Sequence, residues 1–307
     1  MAVAVELSPM QVAIVGAGAV GSALGATLST VGPVTLVGHE NDHVRALQTE
    51  PLRVTLPDGA KRAVDLDVVT DHAVVTDVDL VILAVKSYDT AQALADVAPF
   101  LDAVDLFTVQ NGLGNLEQMA DVVEPTRVIG ATTTLGASIA RPGRLTIESV
   151  GTTRVGRPWA ENGPTVDAIA ERFSTAGLDT SVVTDIRRAI WEKVLINVGI
   201  NPVTAIGQVE NGALRRDPGR SLLEAAVREG ARVAAAAGYR IEAPVTKALD
   251  VVAATAGNRS SMLRDVDAGS RTEIAALNGA IVEQGVALGL PVPVNRTLTG
   301  AVYLLAG

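Results

Sequence analysis

The sequence predicts an α/β chain in two parts, a doubly wound parallel sheet followed by an all-helical C-terminal domain. Three observations predict it. A short apolar run enters a glycine-rich turn at residues 11–21, QVAIVGAGAVG, and a small-residue helical pattern follows at once. Apolar strand runs then alternate with helical stretches as far as residue 184. Beyond it the period becomes helical throughout.

The elements follow in order. Val12–Val15 and Val34–Val37 read as buried strands, and residues 80–85, 106–109 and 127–129 repeat the pattern. Residues 52–56 and 60–69 read as short extended pieces around the Pro57-Asp58-Gly59 turn. From 145 to 155, alternating Thr, Ile and Val predict antiparallel strands on the sheet's edge. Residues 186–201, 221–237, 244–256 and 260–288 read as helices, so the boundary falls at Thr184-Asp185. This gives a nucleotide domain at 1–184 and a helical substrate-binding or dimerisation domain at 185–307, with a ligand cleft expected at their junction.

Composition excludes several classes. No cysteine is present, so disulfides, thiolate catalysis and cysteine metal sites are out. The net charge of −9 divides as −11 over residues 1–184 and +2 over 185–307, which disfavours nucleic acid and makes the second half the better place for an anionic substrate. Residues 11–38 carry no charge, yet six glycines and a proline break the run, so it does not read as a membrane span. No basic stretch precedes it, so it does not read as a signal peptide, and cytoplasm is the expected compartment.

The glycine turn carries the first chemistry. Gly16 makes the turn, Gly18 lets the backbone approach a pyrophosphate, and Gly21 packs helix on strand, in the Rossmann manner. The helix-start N–H groups of the segment Gly16, Ala17, Gly18, Ala19, Val20 and Gly21 then face an anion. The other reading is a glycine-rich turn in some different α/β protein. Lys86-Ser87-Tyr88 and Gln110-Asn111-Gly112 also follow strands, at the carboxyl edge where such sheets bind ligands.

The second chemistry lies in the helix around Trp191. Lys193, Asn197 and Asn201 are four residues apart, so they form one polar stripe drifting about 40° per step along an apolar helix. A lysine half-buried there loses hydration for its charged form, and its pKa falls towards the range of a working general acid. Alternatively Lys193 reaches solvent and the asparagines cap or bridge. Pro202 is expected to end or kink the helix. Ser260 reads as a helix-start residue. Glu273 sits with Ile274, Leu277 and Ile281 on an apolar helix, and either Lys193 or a surface arginine such as Arg271 is its partner.

Together these motifs resemble the ketopantoate reductase family: GAGAVG at 16–21, VKSY at 85–88, QNGLGN at 110–115, WEKVLINVGIN at 191–201, SSMLRD at 260–265 and TEI with NG within 272–279. The resemblance runs nearly end to end. It implies a nicotinamide-dependent oxidoreductase that reduces 2-dehydropantoate to pantoate in pantothenate biosynthesis, with no metal in the chemistry. It implies Lys193 as proton donor, Glu273 as the substrate-orienting carboxylate beside the cofactor, and Asn111, Asn197, Asn201 and Ser261 as substrate-binding groups. Lys86 and Asn111 are implied to hold the cofactor near the nicotinamide. The histidines, His39, His43 and His72, all precede residue 184, against a histidine-based dehydrogenase.

One position departs from the family. After the second strand, where it usually places an arginine for the 2′-phosphate of NADPH, this chain has His39 and then Glu40. His39, with Arg45, is read as accommodating the phosphate, so NADPH is favoured; Glu40 on a ribose hydroxyl is the NADH alternative. A related reductase of another small 2-oxo acid and a non-catalytic dinucleotide sensor are the competing functions. The helices beyond residue 220 offer a candidate homodimer surface.

Overall fold

The computed structural model describes residues 10–305. The segment before Met10, on which the reading of no signal peptide rests, lies outside them. The chain divides into two units. The first runs to Gln110 and resumes over Asn115–Ile186; the second takes Asn111–Gly114 and everything from Arg187 onwards.

Among the described residues, the first unit holds twelve strands. They are β1 (Val12–Val15), β2 (Val34–Val37), β3 (Leu52–Thr55), β4 (Lys61–Val64), β5 (Asp67–Val69), β6 (Leu80–Leu83), β7 (Asp105–Thr108), β8 (Val128–Thr133), β9 (Gly136–Arg141), β10 (Arg144–Ser149), β11 (Thr152–Gly156) and β12 (Asp179–Val182). Eight form one sheet in the order β12-β11-β8-β7-β6-β1-β2-β5. All its pairings are parallel except β11 on β8. Every residue of VAIV in β1 and LVIL in β6 is buried, which is why these strands read as unbroken apolar runs. Each Val, Leu or Ile among them contributes about 1.5–3 kcal/mol by leaving water. Phe107 meets Phe173 edge to face at 5.7 Å within this core.

The expected antiparallel addition at 145–155 needs correcting. Only β11 joins the main sheet. β10 instead pairs with β3 and β9 in a separate four-stranded sheet, ordered β4-β3-β10-β9. The alternation in this stretch reports half-buried strands but carries no information about which neighbour each finds.

The second unit is helical, built on the helix Ile186–Gly207. Trp191, Val194, Leu195 and Val198 pack against Ile274, Leu277 and Ile281, while Ile200 and Val203 pack against Leu223, Val227, Ala248 and Val252. Two expectations are corrected here. Of the end or kink expected at Pro202, the end does not occur: the helix continues to Gly207. Proline removes the donor that would serve the Val198 carbonyl one turn earlier. That carbonyl accepts instead from Asn278 Nδ2 at 3.0 Å, and Thr204 Oγ1 bonds the Ile200 and Asn201 carbonyls at 2.8 and 3.0 Å.

Nor is 260–288 one helix. Ser261–Asp267 ends before Gly269, which turns at φ +62°, and the chain re-enters as a π-helical turn, Ala275–Gly279, leading into Ala280–Ala287. Asn278, on this turn, is fully buried and also donates to Asn295 Oδ1 at 2.9 Å. Asn295 in turn donates to Glu229 Oε1 at 2.8 Å. The buried Glu229 carboxylate accepts the Val294 and Asn295 N–H groups at 3.1 and 2.7 Å, capping the helix Pro293–Leu305 where its dipole favours an anion.

Candidate active site

In the first unit, Gly16 lies at φ +117°, and a Cβ there would stand 2.7 Å from the Val85 nitrogen. No other residue fits. A Cβ on Gly21 would lie 1.8 Å from the Gly16 carbonyl oxygen, so helix and turn are in direct contact. Gly18 differs: a Cβ there would meet no atom within 4 Å. The empty space adjoins the start of the helix Ala19–Leu28, which has neither a side-chain cap nor an acidic residue in its first turn. Uncapped N–H groups beside a free approach fit a dinucleotide pyrophosphate.

Around the turn, Gly38 is crowded, since a Cβ would stand 2.7 Å from that of Ala17; an acidic residue at this strand end has no room. His39 is exposed, and its Nε2 lies 4.0 Å from Asp96 Oδ2. Arg45 is held by Glu40 at 2.8 Å and Asp42 at 2.6 Å, and these hydrogen bonds raise its pKa. Lys86 begins the short turn after β6 and is half-buried. Gln110, which the sequence reading gave no role, ties this loop down: its Nε2 donates to the Val85 carbonyl at 3.0 Å and to Thr90 Oγ1 at 2.7 Å. Its place in the QNG motif was the available signal.

The second unit gathers the remaining candidates. Lys193, Asn197 and Asn201 share one uninterrupted helix, as their spacing requires. Burial pushes the Lys193 ammonium down to about 8, and the Glu273 carboxylate pulls it partly back up. Glu273 is therefore electrostatically coupled to Lys193. It is buried, and it precedes the π-helical turn rather than sitting within a long helix, its carbonyl accepting the Ala276 and Leu277 N–H groups at 3.1 and 3.2 Å.

Asn111 donates from Nδ2 to Glu273 Oε2 at 3.2 Å. Its loop is fixed by Leu113 N–H on the Ala276 carbonyl at 2.9 Å, and by Gly112 at φ +91°, where a Cβ would lie 2.6 Å from Ala276. Ser260 caps the helix Ser261–Asp267 by accepting the Leu263 N–H, and its hydroxyl pairs with that of Thr204 at 2.7 Å. This sets Ser261 at the first helical position, next to a residue tied to Thr204, which lies about one helical turn beyond Asn201. Among the described residues, the side chains of Asn197, Asn201 and Ser261 have no hydrogen-bond partner, although Asn201 is buried. Unspent amides on the helix that carries the lysine, with a hydroxyl in the same unit, suit an oxygen-rich ligand.

A Rossmann-type sheet with an uncapped glycine turn, followed by a helical unit bearing a buried lysine of lowered pKa, fits a dinucleotide-dependent oxidoreductase. Two family models match the chain, ketopantoate reductase PanE/ApbA over residues 12–159 and its C-terminal counterpart over 185–306. The chain belongs to the ketopantoate reductase PanE/ApbA family. It is an oxidoreductase acting on a CH–OH group of a small molecule, in a family that depends on nicotinamide dinucleotides.

It is 44% identical to the 2-dehydropantoate 2-reductase of Halobacterium salinarum, over 96% of this chain and 98% of that one. Identity to the enzyme of that name from Archaeoglobus fulgidus is 37%, over 95% and 96%. Among solved structures, a PanE/ApbA family ketopantoate reductase from Ralstonia eutropha is 30% identical with a TM-score of 0.88, covering 97% and 98% of the two chains. D-mandelate dehydrogenase with NADH and anilino(oxo)acetate is 25% identical with the same score and coverage. No helix among the described residues is long and apolar enough to cross a membrane.

Proposed function

We propose that this chain reduces 2-dehydropantoate to pantoate with NADPH as hydride donor, in the cytoplasm, on the route to pantothenate and coenzyme A. The observation that carries this reading is the Lys193 ammonium, lowered to about 8 by burial and accompanied by Glu273, Asn111 and unpartnered amides. In it, the glycine turn with Ala17, Ala19 and Val20 holds the pyrophosphate, His39 faces the ribose 2′ group, and Lys86 and Asn111 steady the nicotinamide end. The bound cofactor supplies a hydride to the substrate's keto carbon.

The chain's own residues do the rest. Lys193 donates a hydrogen bond to the keto oxygen, drawing charge onto it, and delivers the proton that turns the alkoxide into an alcohol. Glu273 sustains the protonated lysine and accepts from a substrate hydroxyl. Asn197 and Asn201 meet substrate oxygens, and the Ser261 hydroxyl receives the carboxylate. Residues 1–184 thus serve the cofactor and 185–307 the substrate, apart from the Asn111 loop.

The test is a steady-state rate with 2-dehydropantoate and each reduced cofactor, using wild type and Lys193→Ala. Turnover that collapses in a folded variant supports the reading; saturable cofactor binding without turnover in the wild type sinks it. The likeness to D-mandelate dehydrogenase favours a second reading, an NADH-dependent reductase of another 2-oxo acid. A panel of branched and aromatic 2-oxo acids separates the two by kcat/KM.

A further inference from the structure

We propose that His39, His72 and Asp96 form a site for one divalent transition-metal ion of the zinc class, in the first unit and apart from the Lys193 cluster. Three separate elements deliver the ligands: the loop after β2, the first residue of the 3-10 turn His72–Asp77, and the helix Thr90–Val97. One ligand atom of each lies within 4.8 Å of the others. Asp96 Oδ2 stands 3.9 Å from His72 Nε2 and 4.0 Å from His39 Nε2. These separations are too long for hydrogen bonds and leave a gap between the three atoms. An ion centred in such a triangle is about 2.4 Å from each corner, and side-chain shifts of about 0.3 Å bring it to ordinary zinc–nitrogen and zinc–oxygen lengths.

The surroundings fit. The second oxygen of Asp96, Oδ1, accepts from Gln92 Nε2 at 2.7 Å, which orients the carboxylate and leaves Oδ2 for the ion. Two imidazoles and a carboxylate suit zinc, cobalt or nickel rather than calcium or magnesium. The exposed side of His39 leaves outer coordination positions to water. His43 shows what an occupied histidine looks like here: Nδ1 accepts the Gly143 N–H at 3.1 Å, Nε2 is therefore protonated and donates to Ser22 Oγ at 3.1 Å, and burial lowers its pKa. The two remaining histidines meet at one carboxylate. The inference is independent of the substrate proposed above, but it shares His39 with the proposed ribose contact, so the ion and a cofactor 2′-phosphate would compete for that side chain.

The test uses untagged full-length protein, titrated with Co2+ followed by visible absorption and with Zn2+ by calorimetry. We expect one equivalent per chain and the intense visible bands of low-coordinate cobalt. His72→Ala and Asp96→Asn should each weaken binding at least tenfold, and Gln92→Ala by less, while far-ultraviolet circular dichroism stays native. No saturable binding up to about 1 mM metal, or wild-type affinity in both ligand variants, overturns the site. Because Gln92 touches no metal, its graded effect keeps the test readable even where a ligand variant misfolds.

Discussion

Asn278 supplies the hydrogen bond that Pro202 cannot. Its Nδ2 reaches the Val198 carbonyl, whose usual donor would be the N–H of residue 202. The same side chain sits on the turn that follows Glu273, and Val198 lies between Asn197 and Asn201. One buried amide therefore joins the segment carrying the carboxylate to the helix carrying the lysine.

A double-mutant cycle tests that exchange. Asn278→Leu should cost about 1–3 kcal/mol in thermal or denaturant unfolding, since the Val198 carbonyl and Asn295 lose a buried partner. Pro202→Ala restores an N–H at 202, so the same leucine substitution in that background should cost clearly less. Strict additivity of the two substitutions would show that they do not share an acceptor.

The proposed role of Lys193 predicts a pH limit on reduction. Its proton is present below about 8 and lost above it, so kcat/KM for keto-acid reduction should fall as pH rises through that value. Glu273 raises the lysine's pKa, so Glu273→Gln should move the midpoint to lower pH as well as reduce the rate. Lys193→Ala should lower kcat by about 10²–10⁴ with little change in melting temperature. A pH profile unmoved by Glu273→Gln contradicts the coupling.

Gly16 and Gly18 should separate folding from binding. Gly16→Ala places a Cβ against the Val85 backbone at positive φ, costing roughly 1–3 kcal/mol or more of stability. Gly18→Ala fills open space at an ordinary φ of −79°, so the protein should melt as wild type yet bind reduced cofactor more weakly by fluorescence titration. Equal cofactor affinity in Gly18→Ala would remove the pyrophosphate from that side of the turn.

Position 39 should govern the choice of cofactor. Arg45, the other candidate cation, is already engaged by Glu40 and Asp42. His39→Arg should therefore raise the NADPH-to-NADH ratio of kcat/KM about tenfold, through a fork that matches phosphate. An unchanged ratio places the 2′ group elsewhere.

Much of this was legible in the chain, for local reasons. β1 and β2 appear at the residues their apolar runs marked, and the Lys193–Asn197–Asn201 stripe needs only helical spacing. What escaped depends on distant partners. Pro202 reads as an end or a kink, and the helix runs past it because the amide that compensates it comes from Asn278, which no local pattern announces. The place of Glu273 was misread because the apolar spacing of Ile274, Leu277 and Ile281 continues through a π-helical turn that composition does not distinguish from an ordinary helix. β10 looked like an edge strand because alternation fixes a face and not a neighbour.

The assignment of Asn111–Gly114 to the second unit means that the backbone changes unit three times. A gene cut once at 184/185 would therefore not yield two self-sufficient pieces. The helical fragment would lack the loop whose Leu113 N–H and Asn111 amide meet Ala276 and Glu273, and the other fragment would carry that loop with nothing to receive it. Recombining halves between family members would succeed only where the tetrapeptide travels with the helices it was selected against.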